Sequence, residues 1–452
     1  MATVFDSSYF GDWFGTPAMR AVLSDEARIC AWLQTEAALA RAQADLGLIP
    51  ADVAARIAAA ARIEALDLPA MKADYDRCGV AIVPLVKHLG ALCDDEARRW
   101  LHWGATTQDI LDTGFVLQIR DALTLIEADL DATVRALALL AARHRDTVMA
   151  GRSFQQQAVP VTLGYKAAVW LDELLRHRQR LTELRPRLLV GQLGGAVGTL
   201  AALGEQGLAV RAGLMRALDL GEPVITWHTA RDRWAELVMW LAMTGATLGK
   251  IGAEVSILMR SEVGELREPA QPGRGGSSSM PQKRNPVAGP QILALARRLR
   301  DLPGGQIDAM IQEHERGIAA MPIEWAVVPE GLLLLAGALA MARPLLEGLE
   351  VDAARMRANL DAGGGLIMAE AVMTGLAPLL GRVQAQALVA AAARRAATEG
   401  ASLRDCLLAE PQIAAALDPA ALDRLLAPAN YTGSAGAMVD AVLARARAAG
   451  LG

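Results

Sequence analysis

The fold class can be inferred from one long helical pattern, Thr113–Ala141, which reads TGFVLQIRDALTLIEADLDATVRALALLA. Its apolar side chains recur every three or four positions from one end to the other. They are Val116, Ile119, Leu123, Ile126, Leu130, Val134, Leu137 and Ala141. Because an α-helix has about 3.6 residues per turn, this spacing places all of them on one face. The pattern predicts a single helix of about 30 residues, about 45 Å long.

The same period occurs in three other segments of the chain. They are residues 24–46, where Ser24 provides an N-cap and Gly47 a stop, residues 163–181, and residues 234–258. Helices this long cannot cover their apolar faces alone, so they predict a bundle, often one that packs against other subunits. Aromatic residues make up only 4% of the chain and period-two alternation is rare, so few strands are expected. We therefore predict an all-α fold.

Glycine-rich breaks divide the helical pattern and suggest where domains begin and end. They lie at Gly191–Gly204, Gly273–Gly276 and Gly363–Gly365. We predict an N-terminal helical domain, a central long-helix bundle and a C-terminal helical domain, with the bounds 1–110, 111–362 and 363–452.

Composition narrows the class of protein. Apolar residues make up 53% of the 452 residues, and 45 basic residues against 50 acidic ones give a net charge of −5. That balance favours a large core and neither nucleic acid nor an anionic membrane as a partner. The longest uncharged run, Leu188–Gly204, is shorter than the roughly 20 apolar residues of a membrane span. Four scattered cysteines and no basic N-terminal region predict a cytoplasmic protein without structural zinc or disulfides: Cys30, Cys78, Cys93 and Cys406.

The strongest chemical signal is the segment Gly275–Pro286, GGSSSMPQKRNP, which follows Gln271-Pro272-Gly273-Arg274. Glycine and proline predict a loop here, and Pro286 suits the first turn of the next helix. The backbone amides, Lys283 and Asn285 can all donate to a carboxylate. Composition alone also allows a solvated linker, because Gly/Ser runs often serve as linkers.

This segment matches every fixed position of GSSxMPxKxNP, the signature of the fumarase/aspartase superfamily. Two further segments resemble that superfamily's other signatures, His102–Asp109 with Thr113 after it, and Gly151–Pro160. Gly194–Thr199 is also similar to a segment of the family. The resemblance implies an all-α, three-domain fold with a long central bundle. It also implies a homotetramer whose active sites are shared between subunits.

Within the superfamily the chain most resembles the bacterial 3-carboxy-cis,cis-muconate cycloisomerases. Four segments carry that likeness: Thr16–Arg20, Trp227–Arg233, Gln312–Arg316 and Glu324-Trp325. Adenylosuccinate lyases are less similar, since their N-terminal phosphate-binding Arg-Tyr is absent. Their His-Asp pair before the first signature is also replaced, by Gly79–Ile82. The resemblance therefore implies interconversion of a carboxylated muconate and its lactone, in aromatic catabolism.

The resemblance also assigns roles to individual residues. Ser277 corresponds to the base that removes a proton from the carbon next to a carboxylate, and Lys283 and Asn285 would hold that carboxylate. Ionising a serine hydroxyl near neutral pH costs roughly 8 kcal/mol, which the loop amides and Lys283 must offset. Further hydrogen-bond donors to substrate carboxylates would be Thr106, Thr107, Gln156 and Ser278. The substrate would be a small di- or tricarboxylate, and no cofactor or metal is expected.

Other candidate contacts to the substrate lie in the subgroup-like segments. Arg316 can grip a carboxylate with two nitrogens, and His314, His228 and Arg20 are further candidates. Structural roles are the alternative for these residues. They are the preferred interpretation of three histidines in charged helical segments and of three tryptophans at helical spacing: His88, His144, His177, Trp227, Trp234 and Trp240.

Three positions depart from the family patterns. Phe154 stands where many superfamily lyases have a histidine, as it does in the cycloisomerases. Gln157 and Gln282 stand where the familiar cycloisomerase pattern has histidine, and glutamine cannot titrate. These glutamines leave open a second enzyme class, a C–N or C–X lyase that releases fumarate or a related enoate from a substituted succinate. A non-catalytic scaffold is a third, weaker hypothesis.

Overall fold

The computed structural model describes residues 3–270 and 273–452, and α-helices make up most of that part of the chain. Gln271 and Pro272, which were predicted to begin the signature loop, lie outside the described residues. The α-helices are α1 Pro17–Val22, α2 Asp25–Asp45, α3 Ala51–Ala60, α4 Leu68–Cys78, α5 Ile82–Leu92, α6 Asp95–Trp100, α7 Thr107–Arg143, α8 Leu163–Leu188, α9 Gly207–Leu218, α10 Asp232–Leu258, α11 Ala288–Asp308, α12 Ala320–Glu347, α13 Ala353–Asp361, α14 Ala369–Leu380, α15 Arg382–Glu399, α16 Leu403–Leu408, α17 Pro411–Ala416, α18 Pro419–Leu426 and α19 Ala435–Ala448. Short 3-10 helices occur at Gly11–Trp13, Ile63–Ala65, Ala201–Gln206, Leu366–Met368 and Pro428–Tyr431.

The strands form two small antiparallel pairs. They are β1 Val148–Ser153, β2 Gln156–Thr162, β3 Leu266–Arg267 and β4 Glu350–Val351. β1 and β2 make a hairpin in which Val148 lies opposite Thr162 and Ser153 lies opposite Gln156. Its two turn residues, Phe154 and Gln155, both have positive φ, as a tight two-residue hairpin turn requires. The second signature therefore lies in a hairpin, which the sequence pattern did not indicate.

The predicted long helices are confirmed. Helix α7 extends the expected stripe, and its inward residues from Val116 to Ala141 are buried. Ser24 caps α2, because its hydroxyl accepts the Ala27 N–H at 3.1 Å. One detail was wrong: Pro286 does not lie in the first turn of α11, which begins at Ala288 because Glu268, rather than a proline, satisfies its first amides.

The chain divides into two compact units. The first comprises residues up to Asp129, His177–Ala246 and Ala294–Ala340. One of its cores packs α2 and α3 against α5, α6 and the start of α7, with Leu33, Val53, Ile57, Leu85, Leu89 and Ile110 at its centre. A second core joins α2, α7 and α9 and contains Leu39, Leu117, Leu193, Val210 and Leu214.

The second unit comprises Leu130–Arg176, Thr247–Leu293 and Met341–Gly452. Its C-terminal helices α14–α18 surround a core of Val372, Leu376, Leu403, Leu407 and Leu422. The domain boundaries predicted at 110 and 362 fall beside the start of α7 and the end of α13. They remain predictions.

Helix α12, Ala320–Glu347, is long and apolar enough to cross a membrane by length and composition alone. The bent pair α13 and α14 meets the same test only when it is taken as one span. More than half of the apolar window of α12 is buried within the protein, including Val328, Leu332 and Leu335. The central helix of a protein core has the same properties, so α12 alone is weak evidence for a membrane span.

Candidate active site

The signature segment closes into a small loop within the second unit. Gly276 and Arg284 form an antiparallel bridge, and the Asn285 N–H donates to the Gly275 carbonyl at 2.7 Å. Gly275 has φ of +73°, and a Cβ there would lie 2.6 Å from the Asn285 carbonyl oxygen. Glycine is therefore required at this position for both backbone conformation and space. The predicted loop is confirmed, and its two ends are held together.

The hydroxyl of Ser277 accepts hydrogen bonds from the backbone of its own loop. The Met280 N–H donates to Ser277 Oγ at 3.1 Å, and the Ser279 N–H is 3.4 Å away. Both donors would interact more strongly with an alkoxide than with a neutral hydroxyl, because charge roughly doubles the strength of a hydrogen bond. This arrangement suits the role of a base.

Two carboxylates anchor the C-terminal end of the loop: the buried Glu268 and Glu350, which pairs with an arginine. Glu268 accepts the backbone N–H groups of Val287, Ala288 and Gly289 at 2.8–3.0 Å and so caps α11. Arg284 pairs with both oxygens of Glu350 at 2.7 and 2.9 Å. The Arg284 hydrogen bond lowers the pKa of Glu350, so the pair is charged at neutral pH. The loop is thus fixed at its base while Ser278 and Lys283 are exposed.

A cavity of about 720 Å³ lies beside this end of the loop. Lys283, Asn285 and Gln282 line it from the loop, and the last turn of α10 and the chain after it supply Ser256, Met259, Arg260, Ser261 and Arg267. None of the described lining residues is acidic. Ser277 and Ser278 belong to the same loop but are not lining residues. The cavity therefore suits an anionic ligand held by Lys283 and Asn285.

The second signature is held by a largely buried ion pair beside the turn of the β1–β2 hairpin. Arg152 donates to both oxygens of Glu265 at 2.6 and 2.9 Å, and Asn359 donates to Glu265 at 2.8 Å. Gln157 donates to the Asn359 carbonyl at 3.1 Å. Gln157, which replaces a titrating histidine of the familiar pattern, is thus engaged with the backbone through its amide.

The tip of the hairpin is exposed. Phe154 has its side chain entirely in solvent, and Gln156, the predicted carboxylate donor, is also exposed. The tip of the hairpin therefore presents one large apolar side chain to solvent.

In the first unit, the first signature is organised around the buried carboxylate of Asp109. Its oxygens accept the N–H groups of Gly194 and Gly195 at 2.8 and 2.9 Å and that of Thr106 at 2.9 Å. The ring Nε2 of His228 lies 2.8 Å from the same carboxylate. Asp109 thereby joins the first signature, the Gly194–Thr199 segment and the His228 segment into one structure.

Arg316 and Thr106 are brought together in this unit. The Arg316 guanidinium donates to Thr106 Oγ1 at 2.9 Å and to the carbonyls of Gly195 and Ala196 at 3.2 and 2.5 Å. The guanidinium therefore bonds neutral oxygens rather than a carboxylate, and its charge is left uncompensated by these contacts. Thr107 begins α7 beside them and is half-buried, and His314 is exposed with φ of +51°. The proposed substrate roles of these residues remain predictions.

A fully buried ion triad lies behind Asp109. Arg231 donates to both oxygens of Asp112 at 2.8 and 2.9 Å and to both of Glu324 at 2.6–3.2 Å. The rings of Trp227 and Trp234 flank it at 5.1 and 5.7 Å. Burial raises the pKa of Glu324, and the hydrogen bond from Arg231 only partly offsets this effect. Burial lowers the pKa of Arg231, but the two carboxylates outweigh it and raise that pKa overall.

His102, the first residue of the first signature, pairs with a buried carboxylate. Its Nδ1 lies 2.6 Å from Glu36 Oε1, and Glu36 is almost completely buried. Burial opposes the charged imidazolium, yet the hydrogen bond and charge of Glu36, with the charge of Asp109, raise the pKa of His102. His102 therefore orients the segment that follows it.

The remaining candidates have structural partners. Arg20 forms an ion pair with Asp12, and His88 contacts Asp74 at 2.8 Å. Trp227, Trp234 and Trp240 are buried, as predicted for core residues. Across residues 3–270 and 273–452, no cluster of three or more His, Cys, Asp or Glu side chains could hold a metal ion.

Sequence reasoning missed the roles of Asp109, Asp112, Arg231 and Glu268, although three of these stand in or near quoted segments. One signal could have indicated them. Asp109 and Asp112 continue the apolar stripe of α7 back from Val116 with the same spacing of three and four residues, a placement that puts two carboxylates on the core face. Carboxylates in that position require partners, and Arg231 and His228 occur together in one short segment.

Comparisons with known proteins agree with this arrangement. Residues 14–300 match the family model described as Lyase, and residues 365–442 match the one described as adenylosuccinate lyase C-terminus. The chain is 49% identical to 3-carboxy-cis,cis-muconate cycloisomerase of Pseudomonas aeruginosa, over 100% of this chain and 99% of that protein.

Two solved structures are also similar. The 3-carboxy-cis,cis-muconate lactonizing enzyme from Pseudomonas putida has a TM-score of 0.93 and 45% identity, covering 98% of this chain and 99% of that one. A fumarate lyase from Mesorhizobium sp. BNC1 has a TM-score of 0.90 and 48% identity, covering 95% and 98%. The predicted fold class is confirmed, and the chain belongs to the lyase family of the fumarase/aspartase superfamily.

Proposed function

We propose that this protein is a cycloisomerase that interconverts 3-carboxy-cis,cis-muconate and its carboxymuconolactone. The observation that carries the proposal is the closed signature loop, in which Ser277 Oγ accepts two backbone N–H groups and Lys283 and Asn285 face an acid-free cavity. Full-length similarity to enzymes with this activity supports the choice of substrate.

In the proposed reaction Ser277 moves the proton at the carbon next to a carboxylate. Starting from the lactone, removal of that proton gives a dianionic aci-carboxylate, and the lactone carboxylate then leaves as the β-substituent. In the other direction a carboxylate adds to the diene and Ser277 returns the proton. Lys283 and Asn285 stabilise the carboxylate on which charge accumulates, because both donate hydrogen bonds.

The proposal includes a homotetramer with active sites shared between subunits. Its support is the exposed apolar surface on the long helices, Met239 and Met243 one turn apart on α10, and Leu139 and Val169 on α7 and α8. The exposed Phe154 at the hairpin tip is consistent with contacts between copies. A cytoplasmic location and a role in the β-ketoadipate branch of aromatic catabolism belong to the same proposal, and four free cysteines support a reducing compartment.

The test is loss of diene absorbance when purified protein is incubated with 3-carboxy-cis,cis-muconate. We expect Ser277→Ala to lower kcat by about 10²–10⁴-fold, the range for loss of a positioned acid–base group. Ser279→Ala is the matched control, since Ser279 lies in the same loop and gives Ser277 only its backbone N–H. The control should keep activity close to that of the unmodified protein.

Other outcomes would identify the other classes. Release of fumarate-type absorbance from substituted succinates, without turnover of the muconate, would replace the cycloisomerase with a C–N or C–X lyase. Of the three relatives named above, two are named for 3-carboxy-cis,cis-muconate and favour the cycloisomerase, and the third is a fumarate lyase. No turnover of either substrate, with unchanged properties in Ser277→Ala, would indicate a scaffold.

A further inference from the structure

The cavity beside the signature loop contains more positive charge than the proposed chemistry requires. Its lining includes four cations, Arg260, Arg267, Lys283 and Arg284. Proton abstraction requires one of them, Lys283, to hold the carboxylate next to the reacting carbon. The other three therefore need a separate explanation.

Arg284 is accounted for by the fold. It binds Glu350 with two nitrogens and the Glu268 carbonyl with one of them, so it anchors the loop. Glu350 also lies opposite Arg267 in the β3–β4 pairing. Arg284 and the Ala270 N–H make the hydrogen bonds to the Glu350 carboxylate, so Arg267 experiences that charge without a hydrogen bond to it.

Arg260 and Arg267 have no such role. Within the described residues, their guanidinium groups make no hydrogen bond or ion pair, and the same holds for the Lys283 ammonium. Arg260 follows the last turn of α10, and Arg267 is in β3, so both are carried by ordered backbone. Ser256 and Ser261 add neutral donors to the same wall, and Met259 and Met280 add apolar surface.

We propose that Arg260 and Arg267 bind the two carboxylates of the open-chain substrate other than the one held by Lys283, so that this cavity selects tricarboxylates over dicarboxylates. This assignment rests on the proposed function and adds a role for each free cation: one for each carboxylate of the substrate. Arginine suits this role because its guanidinium is always charged and binds carboxylates with two parallel hydrogen bonds. Met259 and Met280 lie against the hydrocarbon part of the ligand.

The experiment is calorimetric titration at fixed ionic strength with two unreactive probes, tricarballylate and succinate. The unmodified protein should bind tricarballylate at least tenfold more tightly than succinate. In Arg260→Gln and Arg267→Gln the affinity for tricarballylate should fall about tenfold or more, as for loss of a charged hydrogen bond, and the preference should largely disappear. Arg357→Gln is the control, because Arg357 is an exposed arginine of the same unit that pairs with Asp361 outside the cavity. It should retain the preference.

The measurements separate this inference from the proposed function. Arginine-dependent preference for tricarballylate without turnover of the muconate would keep the inference and reject the proposed function. Turnover of the muconate, with KM and tricarballylate affinity within twofold of the unmodified protein in both variants, would overturn the inference alone. Absence of any preference in the unmodified protein would also overturn it.

Discussion

The buried triad of Arg231, Asp112 and Glu324 gives the most demanding stability prediction. We consider Arg231→Met, which keeps an unbranched apolar stem but removes the charged guanidinium. Five N–H···O contacts would be lost, and two carboxylates would remain buried beside each other without a cation. Removing one partner of a buried ion pair costs about 3–5 kcal/mol, so we expect a loss of at least that size in the free energy of unfolding at neutral pH.

The sign of the pH dependence follows from the same charges. Without Arg231, burial and the charge of Asp112 raise the pKa of Glu324 further above its value in the unfolded chain. The folded variant then binds more protons than the unfolded one, so its stability rises as the pH falls. The difference from the unmodified protein should therefore shrink between about pH 8 and pH 5.

The assay is urea unfolding followed by circular dichroism, at one protein concentration because association changes apparent stability. Arg298→Met is the control: Arg298 pairs with Glu330 but is half exposed, so its loss should cost at most about 1 kcal/mol. Glu324→Gln offers an internal comparison, since it turns one cation with two carboxylates into a neutral pair and should cost much less than Arg231→Met. A deficit equal to that of the control, or one independent of pH, would refute this account of the triad.

Three smaller predictions follow from other contacts. His102→Gln should lower the free energy of unfolding more at about pH 6 than at about pH 9. The raised pKa of His102 contributes stability to the folded protein, and that contribution is lost as the pH rises through this pKa. Urea unfolding at both pH values tests the sign, and an equal loss at the two values would contradict the prediction. Glu268→Gln should lower the free energy of unfolding by about 1–3 kcal/mol and should also lower kcat, because one amide of the α11 cap loses its acceptor. Urea unfolding and activity are measured on the same variant, and unchanged values of both would reject the anchoring role. Gly289→Ala should destabilise by about 1–3 kcal/mol, because its Cβ would lie 2.6 Å from the Gly252 carbonyl. In Gly304→Ala, on the same helix with open space, thermal unfolding should instead show equal or higher stability.

Local patterns in the sequence predicted the features that depend on neighbouring residues. The stripe from Val116 to Ala141, the cap at Ser24 and the loop at Gly275 all follow from periods of three to four residues or from the conformational preferences of single residues. These features are present as expected. The signature also located Ser277 and Lys283 in one loop, because both stand within seven positions of each other.

Contacts between distant parts of the chain could not be predicted in this way. Arg231 is 119 residues from Asp112 and 93 from Glu324. The helical position of Asp112 indicates that it needs a partner, but no local pattern specifies that Arg231 and Glu324 meet it. Burial of charge is decided by the tertiary packing that brings these residues together. The same applies to Glu268, which directly follows β3 and has the sequence context of an ordinary loop residue; only the tertiary fold brings the first amides of α11 to its carboxylate.

The contacts of Ser277 also indicate how much of its activation the single chain can supply. Roughly 8 kcal/mol is needed to ionise the hydroxyl near neutral pH. Two backbone amides, each worth about 1.5–3 kcal/mol when the acceptor is charged, provide about 3–6 kcal/mol. The remainder must come from Lys283 and from exclusion of water, yet Lys283 is exposed and screened by solvent in the isolated chain. Ser277 should therefore behave as an ordinary hydroxyl until the loop is covered by substrate and, in the homotetramer proposed above, by a neighbouring subunit. On that proposal, assembly of the oligomer is part of the chemistry.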